Sequence, residues 1–319
     1  MLNNTFQTLS LPKRISLMDI PKTGKVSVVI DSDAYNEIDD QFAIAWALLH
    51  PERIDLQAIY AAPYTNNFFE EEEQSERTVC SAKEGMELSF DEVHRVLDLL
   101  PDTVHPEVFK GSTSYFKDSL KPERSPAVND LIARARACDD TLHVLCIAAP
   151  TNIAHAIALA PDLIDKIHVI WLGGHSFDWE NTEEFNLMQD IKASQLMFDS
   201  GVALTLFPCM GVTNTLATSI PEISYYLEDS SKIGSYLANL APKFPWISFA
   251  SRKVIWDIAN VGLVLNSDWF TYDLVSSPIL NENLTWSFNN KRHVIKVIKY
   301  IARDNLFKDL FKTLIDADK

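Results

Sequence analysis

Cysteine is sparse in this chain, and so are basic residues, glycine-rich linkers and long apolar runs. The four cysteines, Cys80, Cys138, Cys146 and Cys209, are scattered and form no Cys-x-x-Cys pair. They read as reduced thiols of an intracellular protein rather than a disulfide framework. Lysine and arginine number 28 against 44 acids, a net charge of -16 with a pI near 4.9. That deficit argues against nucleic acid and anionic membrane surfaces as partners; by itself it does not indicate a cation site. No apolar run approaches the length of a membrane span. The N-terminus, Met1-Leu2-Asn3-Asn4-Thr5, lacks the apolar core of a secretory signal, so a cytoplasmic location is expected. There is no internal repeat and no linker rich in glycine or serine. The expectation is a lead-in over residues 1–24, broken by Pro12 and Pro21, followed by one domain over residues 25–319. With 319 residues and 47% hydrophobic content, the chain can bury a full core.

What is present centres on one stretch. Val26-Ser27-Val28-Val29-Ile30 reads as a buried strand. It runs into Asp31, Asp33, Asp39 and Asp40, and an amphipathic helix is expected from residue 41 to 50. In an open α/β sheet, ligands bind where strands end and helices begin. A helix N-terminus favours acids through its dipole, which accounts for Asp39 and Asp40. Asp31 and Asp33, two apart at a strand end and expected on one side, are left over. Four acids there repel one another unless a hard cation sits between them.

Along the chain, strands are expected at residues 25–30, 55–61, 142–148, 166–172 and 203–207, and helices at 39–50, 89–100, 125–138, 150–159 and 191–200. Ser89 with Glu92 fits a capping box, Pro126 a first-turn position, and Asp190 an N-cap. Residues 101–124 read as irregular. Residues 68–86, with four glutamates in a row, read as a solvated loop or a lid over the site. The alternation gives an α/β fold: a largely parallel open sheet flanked by helices on both faces. The C-terminal part is more helical, with helices at 220–227, 230–240, 251–265 and 305–315, the last capped by Asp304. Short strands at 275–280, 284–288 and 293–300 suggest an edge hairpin.

The strand ends offer polar groups to one edge of the sheet: the four N-terminal acids, then Asn66, then Thr151 and Asn152, then Gly173-Gly174-His175 leading to Asn181, Glu184 and Asn186. Glu184 and Asn186 suit a polyhydroxylated sugar, since a carboxylate accepts and an amide both donates and accepts. Equally, Asn186 and Asp190 suit the turn into the next helix.

These motifs resemble those of the calcium-dependent, inosine-uridine type nucleoside hydrolases. The Asp-x-Asp pair after a strand, with Asp39-Asp40 opening a helix, is similar to that family's N-terminal fingerprint. The second pair comes two residues later than in its commonest form, across the turn at residues 34–38. Pro150-Thr151-Asn152-Ile153-Ala154, then Gly173-Gly174 with Glu184-Phe185-Asn186 and Asp190, then Trp256-Asp257, resemble further family segments in family order. The resemblance implies a nucleoside hydrolase-like fold that hydrolyses the N-glycosidic bond of a ribonucleoside to ribose and free base with a calcium-bound water. It implies Ca2+ ligands Asp33, Asp40, Asp257 and the Thr151 backbone carbonyl, and a homodimer or homotetramer. Asp39 would hold a ribose hydroxyl, and Glu184, Asn186, Asn66 and Asn181 the rest of the sugar. Asp33 would take the proton of the attacking water.

The chain departs from the family at Trp256, where the family carries a histidine. Tryptophan stacks on a base but cannot protonate one. His175 is the candidate substitute acid. Two alternatives stand beside the hydrolase: a catalytically weak sugar- or nucleoside-binding protein, and a hydrolase of another N-riboside. The haloacid-dehalogenase phosphatases also place Asp-x-Asp after a strand, but they leave Asp39-Asp40 unexplained.

Overall fold

Strand β1 (Val26–Ser32) alternates its side chains between two cores, and the rest of the fold follows from that. Val28 and Ile30 join one apolar cluster, while Val29 joins the other. A strand buried on both faces has no polar side to show, which is why it reads as a continuous β-branched run. The computed structural model describes residues 8–66, 78–119, 121–243 and 247–319. The sheet is completed by β2 (Ile54–Ala61), β3 (Glu107–Lys110), β4 (Leu142–Ile147), β5 (Ile167–Leu172) and β6 (Ala203–Phe207), with two strands from the C-terminal part. Two short antiparallel ladders lie outside it. One joins β7 (Ala217–Thr218) to β8 (Lys253–Val254). The other joins β10 (Ile279–Leu280) to β11 (Trp286–Ser287). The remaining sheet strands are β9 (Phe270–Ser276) and β12 (Val294–Ile301).

The sheet order is β3-β2-β1-β4-β5-β6-β12-β9. Every pairing is parallel except β12 with β9. The order reverses between β1 and β4, which opens a crevice at their carboxyl ends.

Helices cover both faces. On the face of Val29 lie α1 (Leu11–Met18), α4 (Phe116–Ser119), α5 (Pro126–Ala137), α6 (Thr151–Leu159) and α8 (Ile191–Asp199), contributing Leu17, Leu131, Ile157 and Phe198. On the face of Ile30 lie α2 (Asp39–Leu48), α3 (Ala82–Asp98), α9 (Ile220–Leu227), α10 (Lys232–Leu240), α11 (Ile258–Leu265) and α12 (Arg303–Ile315), contributing Phe42, Val93, Leu237, Ile258 and Leu310. The short α7 (Phe185–Gln189) follows β5.

Several expectations are corrected. Residues 11–18 are helical, because Pro12 sits in the first turn, where its missing N–H has no intrahelical partner to lose; Ser10 caps it. Helix α2 is buried over its whole length, not amphipathic, because α3, α11 and α12 enclose the side turned away from the sheet. Ser89 lies inside α3, which starts at residue 82; its N-cap is Ser81, whose side chain accepts from the Glu84 N–H. Residues 101–124 contain β3 and α4. The region expected from 251 to 265 is β8, a turn and then α11. Asp304 lies in the first turn of α12, with Ala302 at the cap position. The edge pair is β9 with β12, longer than the expected hairpin. Of the loop or lid expected at 68–86, residues 68–77 lie outside the described residues.

Candidate active site

The polypeptide leaves β1 at Ser32 and needs a tight turn before α2. Asn36 N–H donates to the Asp33 carbonyl at 3.1 Å, and Ala34 N–H to Ser32 Oγ at 3.2 Å. Tyr35 takes a left-handed φ of 81° within that turn, a conformation that strained functional loops use. The turn delivers Asp39 and Asp40 into the first turn of α2, where backbone dipoles favour acids. Ser32 Oγ donates to Asp40 Oδ1 at 2.6 Å. From the far side, the Trp256 N–H donates to Asp39 Oδ2 at 3.1 Å. Asp257 occupies the N-cap position of α11 yet makes no side-chain capping bond, so its carboxylate is not committed to the helix.

Carboxylate oxygens of Asp39, Asp40 and Asp257 lie within 4.8 Å of one another. Ligands 2.3–2.6 Å from one Ca2+ stand at most about 5 Å apart, so the spacing fits a shared hard cation. Asp39 Oδ1 is buried with no hydrogen-bond partner among the described residues, as expected of an atom reserved for an ion or a ligand hydroxyl. Burial raises the pKa of Asp33, Asp40 and Asp257 well above the usual range, and repulsion among these acids and Asp39 adds to it. Asp39 is pushed up to about 6, mainly by burial, with Lys253 pulling the other way. Such a group is costly as bare anions and is stabilised by a divalent charge. The donor set, all oxygen, suits a hard ion.

These acids form the floor of a cavity of about 220 Å³, a size for one small ligand rather than a polymer. It opens at the carboxyl ends of β1, β4, β5 and β6. Its lining includes Asp33, Asp39, Asp40, His175, Glu184, Asn186, Trp256 and Asp257. Glu184 is fixed at the N-cap of α7, accepting from the N–H groups of Gly174, Asn186 and Leu187 at 2.8–3.0 Å. Burial raises its pKa, against these three bonds. Asn186 is held by its Nδ2 donating to the Leu172 carbonyl at 3.1 Å. It lies in a helix, so it and Glu184 do not alternate along a strand. The His175 ring accepts from the Met210 N–H through Nδ1 at 3.4 Å. Burial lowers its pKa, against the backbone of Gly174 and Glu183, which raises it.

Not every expected residue reaches the cavity. Asp31 does not line it with Asp33: it faces the other core and accepts from Asn152 Nδ2 at 2.8 Å, with a pKa pushed up to about 7 by burial. Thr151 is fully buried at the start of α6, its hydroxyl donating to Asp190 at 2.8 Å, and it is absent from the lining; Ile147 lines the cavity from the same strand end. Asn66 stands one residue back, accepting from the Val79 N–H and donating to Asn36, which does line the cavity. Asn181 serves the turn instead, accepting from the Glu183 N–H at 3.1 Å, and is not in the lining. The tight carboxylate triad contains Asp39 where Asp33 was expected; Asp33 lines the cavity beside it.

Glu37, Asn36, Glu183, Phe185, Cys209 and Met210 also line the cavity and were not anticipated. Cys209 and Met210 come just past β6, after Pro208, so the rule that sites gather at strand ends points to them. Glu37 sits in the lengthened turn before α2, where no sequence signal marks it.

The matching profile spans residues 28–297 and is that of the inosine-uridine preferring nucleoside hydrolases. The chain belongs to this family, whose members are glycosidases that hydrolyse the N-glycosyl bond of ribonucleosides. Among curated relatives, a "Probable uridine nucleosidase 2" of Arabidopsis thaliana is 25% identical over 281 residues, covering 82% of this chain and 86% of the relative. The "Pyrimidine-specific ribonucleoside hydrolase RihB" of Escherichia coli (strain SE11) is 23% identical over 255 residues, 76% of this chain and 80% of the relative. In solved structures the fold recurs in "Plant nucleoside hydrolase - PpNRh1 enzyme", with a TM-score of 0.74 at 19% identity, covering 93% of this chain and 100% of that one. It also recurs in a "Purine-Preferring Ribonucleoside Hydrolase from Gardnerella vaginalis", with a TM-score of 0.70 at 18% identity, covering 91% and 98%.

Proposed function

We propose that this cavity hydrolyses a ribonucleoside to ribose and free base, with a Ca2+ ion held by Asp40 and Asp257 together with Asp33 or Asp39. The observation that carries the reading is the buried carboxylate triad with its unpartnered Asp39 oxygen. When bound, the cation neutralises these acids and makes a water molecule easier to deprotonate.

The remaining work falls to the chain. Asp33, which lines the cavity beside the triad, is the base for the proton of the attacking water. Glu184, locked by three N–H groups, keeps acceptor capacity for sugar hydroxyls, and the Asn186 amide oxygen adds another acceptor. Carboxylates fixed in advance also stabilise the cation-like sugar as the N-glycosidic bond breaks. The Trp256 indole offers its face to the base. His175, which lines the cavity, is the candidate proton donor for the departing base.

The test is release of reducing sugar from a panel of purine and pyrimidine nucleosides, with uridine included in view of the relatives' names. Turnover should vanish with chelator and return with Ca2+. Turnover that ignores the chelator overturns the cation. Binding of a nucleoside without turnover supports the second reading, a catalytically weak binder, which the tryptophan at position 256 favours. All four cysteines are free thiols, which suits a cytoplasmic enzyme. Among the described residues no helix is long and apolar enough to cross a membrane. A homodimer or homotetramer is proposed as the assembly; a monomer in sedimentation would contradict it.

A further inference from the structure

Behind the acid floor stands one buried cation. Lys253, on β8, is held opposite Thr218 of β7. Its side chain is 8% exposed and forms an ion pair with Glu37 of the lengthened turn. Burial pulls the ammonium pKa down, but Glu37, Asp39 and Asp257 outweigh this and keep it charged. Glu37 lines the cavity, whereas Lys253 does not. The negative member of the pair thus faces the ligand, and the positive member backs it. Glu37 lines the same cavity as Asp33, Asp40 and Asp257, which places its charge beside the ion site. Four residues after Lys253 comes Asp257, and between them Trp256 makes the backbone bond to Asp39. Turn and segment are therefore tied twice, once by charge and once by a hydrogen bond.

We propose that the Glu37–Lys253 pair sets the strength of the divalent-cation site: Lys253 neutralises Glu37 and withholds its charge from the ion. Lys253 is a positioning residue and touches no substrate. The inference rests on the Ca2+ reading above and goes beyond it, because it assigns to two residues outside the ligand set the control of affinity.

The sign of each effect follows from charge. Lys253→Met leaves an extra anion beside the ion, Glu37→Gln leaves an extra cation, and the double variant leaves neither. Calorimetric titration of chelator-treated protein with Ca2+ should give a Kd about tenfold lower for Lys253→Met and about tenfold higher for Glu37→Gln. The double variant and Lys253→Arg should return to within about threefold of the parent, by the same charge argument. A pair with a purely structural role would weaken binding in all the disruptive variants, and that pattern overturns the proposal, as does an unchanged Kd in Lys253→Met. Should Lys253→Met fail to fold, the double variant still decides, because the charge argument returns it to near the parent Kd whereas a structural role weakens it. If the parent protein itself takes up no Ca2+, the proposed function falls and this inference with it. If the parent binds and the variants shift the wrong way, only this inference falls.

Discussion

At the scale of single residues, the acids divide by what their second neighbours offer. Asp31 and Asp33 are two apart, yet an asparagine from α6 claims the first and the cavity takes the second. Removing a charge from the triad should be severe: Asp40→Asn is expected to abolish measurable Ca2+ binding by calorimetry and to lower kcat by about 100-fold or more. Unchanged occupancy would remove Asp40 from the ligand set. Trp256→Ala should raise the KM of a nucleoside about fivefold to tenfold, the worth of one aromatic contact, while leaving inhibition by free ribose nearly unchanged. Equal losses would contradict stacking. The Asp cluster and Asp257 could be read in the sequence because they follow strand or helix signals and match family motifs. The diversion of Asp31 could not, because Asn152 lies 121 positions away and only the sheet brings them together. Lys253 was equally hidden, a lone lysine with no local signal.

At the scale of elements, strands were legible from β-branched runs, and helix starts from their caps where one serine stood out. Two Ser-x-x-Glu signatures compete at residues 81–84 and 89–92; the chain uses the first, since the helix it starts also covers the second. Pro12 misled because proline breaks a helix only past its first turn. The β5–α7 connection shows how an element end serves the site. Gly174 has φ +68°, and a Cβ there would lie 2.7 Å from Thr182 Oγ1. Gly174→Ala should therefore cost about 1–2 kcal/mol of stability and raise KM, because the same residue's N–H holds Glu184. Chemical denaturation and steady-state kinetics check the two effects. Ser125→Ala, which removes the cap of α5, should cost about 1 kcal/mol and leave KM alone. A matching KM change in both variants would show that the effect is general loosening.

At the scale of the whole molecule, stability should depend on pH through a pair of histidines on the strands far from the cavity mouth. His143 on β4 and His168 on β5 are registered neighbours with Nδ1 atoms 3.0 Å apart, so one donates and one accepts. Thr205 Oγ1 lies 2.8 Å from His168 Nε2. Burial depresses both: His143 to about 4, with Arg53 and Lys296 adding to it, and His168 well below its ordinary 6.5. A depressed histidine binds fewer protons folded than unfolded, so its contribution is present above about pH 6.5 and is lost as pH falls toward 4. Each unit of depression corresponds to about 1.4 kcal/mol, so the loss amounts to a few kcal/mol. The ion-free carboxylates act with the opposite sign, since their raised pKa values favour the folded state as they protonate. The comparison is therefore made against His143→Gln in urea unfolding at pH 4 to 7, where the variant should show a shallower slope. Parallel slopes would remove this pair from the acid response.

The acid triad is drawn from two distant stretches of the polypeptide: Asp39 and Trp256, joined by one hydrogen bond, stand 217 positions apart. A ribosome therefore releases the first aspartates long before their counterpart exists. A nascent chain that stops short of β8 holds a knot of like charge with nothing to close it. Under the proposed reading, the triad closes only when the segment carrying Asp257 has docked, so the site is assembled late in folding.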